Sequence, residues 1–254
     1  MIYGLTPINT TKALLRKLTS IEVNALLQVG IKVLKKSDAN SFLIQLGRHN
    51  FTTKSDIPLE TGIEYWAQLS QTKEGIVQLK RIHPKPKLLQ KIEFFKFEQE
   101  LFDSIIKNSK TANSIKDQII QILAHTNSKD EFESLTQMLL SLHNGILTLP
   151  IEEKGKKMLL QMRKRAGRKN ESESSSIEFY ASFNNLGPIE GEILQANQAL
   201  HLKLKLFYHR SVSILKKYCD NLEGFSSINI IEKESYILPF WDGSEKNSLL
   251  DIKT

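Results

Sequence analysis

The chain has 254 residues with 40% hydrophobic and 25% charged side chains, ordinary for a globular protein and long enough for two domains. A single cysteine excludes an internal disulfide and any cysteine-rich zinc or iron–sulfur centre. The net charge of +7 is carried by one stretch, Lys154 to Lys169, which has eight basic residues and no acid. No run of 18 apolar residues occurs, so no membrane-spanning helix is expected, and the N-terminus lacks the order of a secretory signal, so a cytoplasmic protein is expected.

Residues 1–20 read as a loop and one short helix, capped by Asn9, Thr10 or Thr11, with Leu14, Leu15 and Leu18 as its apolar face. From 21 to 83 the apolar period becomes two: Val29, Ile31 and Val33, then Phe42, Ile44 and Leu46, then Ile63, Tyr65 and Ala67, then Val77 and Leu79. With polar turns between the runs, about five short antiparallel strands are expected. A small barrel, OB-like or SH3-like, would remove their exposed edges. His83-Pro84-Lys85-Pro86 stops the last strand and sets the end of a first domain at 86.

Residues 87–145 read as a helical connector. Leu88, Ile92, Phe95, Phe102 and Ile106 share one broad stripe. Ser114 with Asp117 and Ser128 with Glu131 have capping-box spacing and are expected to open two further helices. Ile115, Ile119 and Ile122 line the first of these, and Phe132, Leu135, Leu139 and Leu142 line the second. Asn144-Gly145 ends it.

From 146 to 238 an α+β domain with a mixed sheet and one packed helix is expected. Ile146–Ile151 and Met158–Arg163 form a hairpin whose tip and second strand are basic. Ile177 to Phe183 and Ile189 to Leu194 follow, then a turn at Asn197-Gln198. Leu200, Leu202, Leu204 and Leu206 then alternate with His201, Lys203, Lys205 and Phe207. A helix from about His209 turns Val212, Leu215, Cys219 and Leu222 inward and closes at Gly224; Ser227–Glu232 is the last strand. Residues 239–254, with Phe240 and Trp241, read as an aperiodic tail.

No phosphate-binding glycine loop, zinc-protease motif or nucleophile elbow is present. Glu152 and Glu153 are adjacent and point to opposite faces, so they cannot work as an acid–base pair. Glu190 and Glu192 share a face and read as a solvated strand surface. Cys219 reads as a small hydrophobe. No enzyme, cofactor or metal site is expected. Tyr65, Phe42 and Trp66, with the lysines of the barrel and the basic hairpin, raise an alternative: a single-stranded nucleic-acid-binding module. In that alternative only Trp66 points outward.

The block from Ile177 to Ile230 resembles the C-terminal domain of the flagellar hook-length control protein family. The resemblance is carried by Phe183-Asn184-Asn185-Leu186-Gly187-Pro188-Ile189-Glu190-Gly191-Glu192-Ile193, the strand Leu200 to Phe207, the helix through Val212, Leu215 and Leu222, and Ile228-Asn229-Ile230. Gly191 stands where an aliphatic is usual, and Asn184-Asn185 stand where a proline is usual. The strands of 21–83, with Asp56-Ile57-Pro58-Leu59 and Gly62, look like an N-terminal module of shorter members. The resemblance implies a protein of the flagellar type III export apparatus that contacts the cytoplasmic domain of the membrane-embedded export switch protein and acts in substrate-specificity switching or an accessory role. Passage through the export channel remains open. On this reading the Leu186-Gly187-Pro188 turn and the cations Lys203, Lys205, Lys156, Lys157, Arg163 and Arg165 are the candidate partner-binding residues. No small-molecule substrate, nucleic acid or membrane insertion is expected. Because 21–145 shows periodicity and caps nearly throughout, a compact switch protein is expected rather than an extended molecular ruler, since folding forfeits most of the ~3.3–3.6 Å per residue that is a chain's greatest reach.

Overall fold

The computed structural model describes residues 5–6, 27–71, 77–90, 111–153, 156–165, 175–197 and 199–243. The fold is mixed α+β, mostly strands in two six-stranded sheets with few helices. The chain divides into two compact units, residues 1–85 with 184–187 and residues 86–183 with 188–254. The N-terminal helix expected over residues 9–18 and the stripe from Ile92 to Ile106 lie outside the described residues. Before that second stretch α1, Lys87–Gln90, is described, with Leu88 and Leu89 buried.

The first sheet contains β1 (Leu5–Thr6), β2 (Leu27–Lys36), β3 (Ser41–Leu46), β4 (His49–Ser55), β5 (Glu64–Gln71) and β6 (Val77–Pro84), in the order β1-β4-β3-β2-β5-β6. All paired neighbours are antiparallel. Alternation places Ile31, Val33, Phe42, Ile44, Tyr65 and Ala67 in one core, with Val33 opposite Ile44 and Ile31 opposite Tyr65 across the strands. Between Leu46 and its partner His49 the chain turns at Gly47, whose φ of +60° suits glycine. The Tyr65 hydroxyl accepts a hydrogen bond from the Glu60 N–H at 2.9 Å, and burial pushes its phenol above the ordinary value.

Trp66 corrects an expectation. Read from alternation it points outward, yet it is fully buried. Its indole N–H donates to the Asn184 carbonyl at 3.2 Å, and its ring meets His83 edge-on at 5.7 Å. The opposite face of β5 is itself covered: Lys85, 9% exposed, lies along it and bonds Glu64 at 3.0 Å. Period two reports which residues share a face, not whether the second face is wet.

The second sheet contains β7 (Ile146–Glu153), β8 (Lys156–Lys164), β9 (Ser175–Phe183), β10 (Gly187–Ala196), β11 (Ala199–Leu206) and β12 (Ser227–Glu232), in the order β12-β11-β10-β9-β8-β7. The last strand runs parallel to β11, reached by a crossover through α4 (His209–Tyr218). Pro150 sits in the edge strand β7, where its missing N–H costs least. One face is apolar from end to end. At the β7–β8 end, Leu149, Leu160 and Met162 pack under α2 (Thr111–His125) and α3 (Lys129–His143). At the other end, Ala181, Ile189, Leu204 and Ile230 pack with Val212 of α4. The helices read as a connector therefore form a layer of the second unit.

Three helix details differ from the expected pattern. Ser114 lies inside α2, which starts at Thr111. Ser128 does cap α3, accepting from the Glu131 N–H at 3.4 Å, while the Glu131 carboxylate accepts from Thr126. The buried stripes are also rotated. Ile115, Ile119 and Leu123 pack inward on α2 while Ile122 is exposed; Leu135 and Met138 are buried on α3 while Phe132 is exposed. After α4, a 3₁₀ turn at Cys219–Asn221 tightens the winding, and Leu222 emerges 42% exposed instead of facing the core.

Gly191 has a physical reason. A Cβ there would lie 2.0 Å from the Phe179 ring, which fills the space on the neighbouring strand. Phe179 takes the volume that an aliphatic at 191 would occupy.

The second face of this sheet is polar and partly buried. Thr148, Gln161 and Tyr180 lie side by side in the register of β7, β8 and β9, all nearly inaccessible. The segment after β12 covers Gln161. Ile237 and Trp241 are 1% and 4% exposed. The Gln161 amide donates to the Trp241 carbonyl at 2.7 Å, and its Oε1 accepts from the Trp241 N–H at 3.2 Å. Trp241 Nε1 donates to Gln137 Oε1 at 3.1 Å. Burial pushes the Tyr180 phenol well above its ordinary value. Phe240 and Trp241 of the expected tail are thus packed on the sheet, and residues 244–254 lie outside the described residues.

Candidate functional site

The polar face becomes a charge ladder toward β10 and β11. Successive side chains on a strand alternate faces, so Glu190 and Glu192 share one face of β10, as do Lys203 and Lys205 on β11. The β10–β11 hairpin sets Glu190 opposite Lys205 and Glu192 opposite Lys203. Asn197 takes φ +50° at its turn, a conformation asparagine tolerates. On the other side of β10, the ends of β8 and β9 bring Arg163 opposite Glu178.

The pairs are short. Lys205 Nζ is 2.5 Å and Lys233 Nζ is 2.6 Å from the two oxygens of Glu190. Arg163 reaches Glu178 at 2.8 Å, and Arg165 reaches Glu192 at 2.7 Å and Glu178 at 3.9 Å. The Arg163 guanidinium also sits 4.1 Å from the centroid of the Phe240 ring, a cation–π contact. Burial pushes the Glu190 carboxyl up, but the hydrogen bonds and charges of Lys205 and Lys233 outweigh it and hold its pKa below 4.5. All of these groups except Lys233, together with Lys203, line a cleft of about 290 Å³.

Four of the sequence-predicted cations, Arg163, Arg165, Lys203 and Lys205, therefore meet in one cleft. Lys156 and Lys157 open β8 at its far end, about 20 Å from Arg163 at ~3.3 Å per residue, and lie opposite Glu153 and Glu152 in the register. Lys154, Arg168 and Lys169 lie outside the described residues. Leu186 and Gly187 belong to the turn that clusters with the first unit. Gly187 takes φ +76° at the start of β10, followed by buried Pro188.

The lysine surface read from β11 is a compensated ladder, with Glu178, Glu190 and Glu192 set among the cations. The signal for two of these acids lay in the sequence, because each Glu is as far from the Asn197 turn as its lysine. Lys233 and Phe240 had no such signal: both follow the last strand, in a segment without periodicity.

These features define a two-sheet α+β protein with a charged cleft on a partly buried polar face. Among the described residues, no group of three His, Cys, Asp or Glu side chains could hold a metal ion, and no helix is long and apolar enough to cross a membrane. No family model, curated protein or solved structure matches the chain.

Proposed function

We propose that the chain is a hook-length-control-like protein of the flagellar type III export apparatus. It acts by binding the cytoplasmic domain of the export switch protein, in substrate-specificity switching or as an accessory. The observation that supports this most is element order. The Leu186-Gly187-Pro188 turn leads into β10, and the β10–β11 hairpin, the basic helix α4 and the closing strand β12 follow in the sequence the resemblance implies. A switch or accessory role fits better than a ruler role because the described parts of 27–143 are wound into strands and helices, which forfeits extended reach. On this reading the protein is cytoplasmic when it acts and makes or breaks no covalent bond. Closure of the first sheet into a small barrel belongs to the same reading, supported by the approach of β1 to β6. The nucleic-acid alternative loses its outward aromatic, since Trp66 is buried. Calorimetric titration of the full chain with the isolated cytoplasmic domain of a flagellar export switch protein tests the proposal. A saturable complex is expected, and absence of binding at low salt overturns it.

A further inference from the structure

We infer that the cleft between β8 and β11 receives one carboxylate side chain of an acidic, extended peptide segment on a partner protein, with Lys203 as the ammonium that meets it. This rests on reading the chain as a binding protein. Within the cleft four cations face three carboxylates. Each carboxylate is already engaged: Glu190 by Lys205 and Lys233, Glu178 by Arg163, Glu192 by Arg165. Lys203 is exposed, lies opposite Glu192 in the register, and makes no ion pair among the described residues. The charge of the cleft lining that no carboxylate meets therefore sits on one ammonium, Lys203.

The chemistry of that surplus selects the ligand. A phosphate, whether of nucleic acid or of a phosphopeptide, is best held by planar guanidinium forks. Here both arginines are drawn to glutamates, and Arg163 is further held against Phe240. A lysine is a compact point charge, suited to a single carboxylate. The volume of about 290 Å³ takes one or two side chains and lies below the range of pockets that enclose whole small molecules. The glutamates on either side repel a densely charged anion and tolerate an isolated acid on a polar backbone, which is the pattern of an acidic segment with spaced charges.

The test is fluorescence anisotropy with the full chain and a labelled dodecapeptide of alternating Glu and Ser, at low and at physiological salt. The peptide is expected to bind at low salt and weaken as salt rises. Lys203→Glu is expected to weaken binding about tenfold and Lys203→Met about threefold, while Lys216→Glu on α4 leaves it unchanged. Thermal melting of each variant separates lost binding from lost folding. No binding at low salt overturns the inference, as does a Lys203→Glu protein that binds like the parent or a Lys216→Glu protein that weakens equally. Tighter binding of a thymidine dodecamer that is also lost in Lys203→Glu overturns it in favour of nucleic acid. Titration with the export switch domain separates this inference from the proposed function. If parent and Lys203→Glu bind that domain alike, the cleft assignment fails and the export reading survives. If the peptide pattern holds and the domain does not bind, the export reading fails and the cleft stands.

Discussion

The two sheets solve the same problem differently. The first is antiparallel throughout, and over β2 and β3 its apolar side chains share one core, so period-two alternation maps directly onto burial at Ile31, Val33, Phe42 and Ile44, with Trp66 on the covered face of β5 the exception. The second buries both faces over β7 to β9. One side is aliphatic beneath three helices; the other carries buried Thr148, Gln161 and Tyr180, with Gln161 bonded to the segment ending at Trp241. Alternation reads the polar side of such a sheet as solvent-facing. A buried amide that hydrogen-bonds a covering backbone looks the same in sequence as an exposed one. The difference teaches that the second sheet is specified by particular side-chain pairs as much as by pattern, and those pairs are where it should break.

The largest expected effect is at Gly191. Adding a methyl group in Gly191→Ala forces the Phe179 ring to move, since the new Cβ would lie 2.0 Å from it. Overpacking of this kind costs about 3 kcal/mol, read as a lowered midpoint in urea unfolding. Phe179→Leu in the same chain should recover part of the loss, because it vacates the contested space. A tolerated single substitution would show that the glycine is not there to admit the ring. The equivalent change at Gly47, where a Cβ meets nothing within 4 Å, costs only the strain of a positive φ.

A smaller effect is expected at Gln161. Gln161→Leu keeps the volume but leaves the Trp241 N–H and carbonyl buried without their partner. Unmet buried backbone groups cost about 1–3 kcal/mol each, offset in part by the apolar leucine, so a net loss of about 2 kcal/mol is expected. Both tryptophans of the chain, Trp66 and Trp241, are buried. Exposure of Trp241 alone should therefore shift the emission partway to the red before global unfolding. An emission spectrum unchanged from the parent would mean that Gln161 does not hold the covering segment.

Strand positions, the hairpin at Asn197, the Ser128 cap and the Asn144-Gly145 helix end are legible in the sequence because each depends on residues within a few positions of one another. Trp66, Trp241, Phe132 and Leu222 are not, because their exposure is set by segments far away in the chain or by a change of helical winding. The candidate cleft divides the same way. The pairing of Glu190 and Glu192 with the β11 lysines follows from a turn position. The arrival of Arg163 and Phe240 beside them depends on strand order and on the path after β12, which no local pattern encodes.

The smallest effect is expected at Glu190, and its pH dependence sharpens the contrast with the first sheet. Glu190 joins β10 to β11 through Lys205 and to the covering segment through Lys233. Its pKa is held below 4.5 in the folded protein. A carboxylate whose folded pKa is depressed contributes stability at pH values above its unfolded pKa. That contribution fades as pH falls from about 4.5 through the folded value. At neutral pH Glu190→Gln should lose about 1 kcal/mol, modest because the pair is partly exposed and screened by salt. As pH falls below about 4.5 the gap between parent and variant should close, because the parent protonates toward what the amide already mimics. Urea unfolding of both proteins across this range measures the gap directly. A gap that stays constant with pH would mean that Glu190 acts through packing, leaving the ladder no electrostatic part in holding the covering segment.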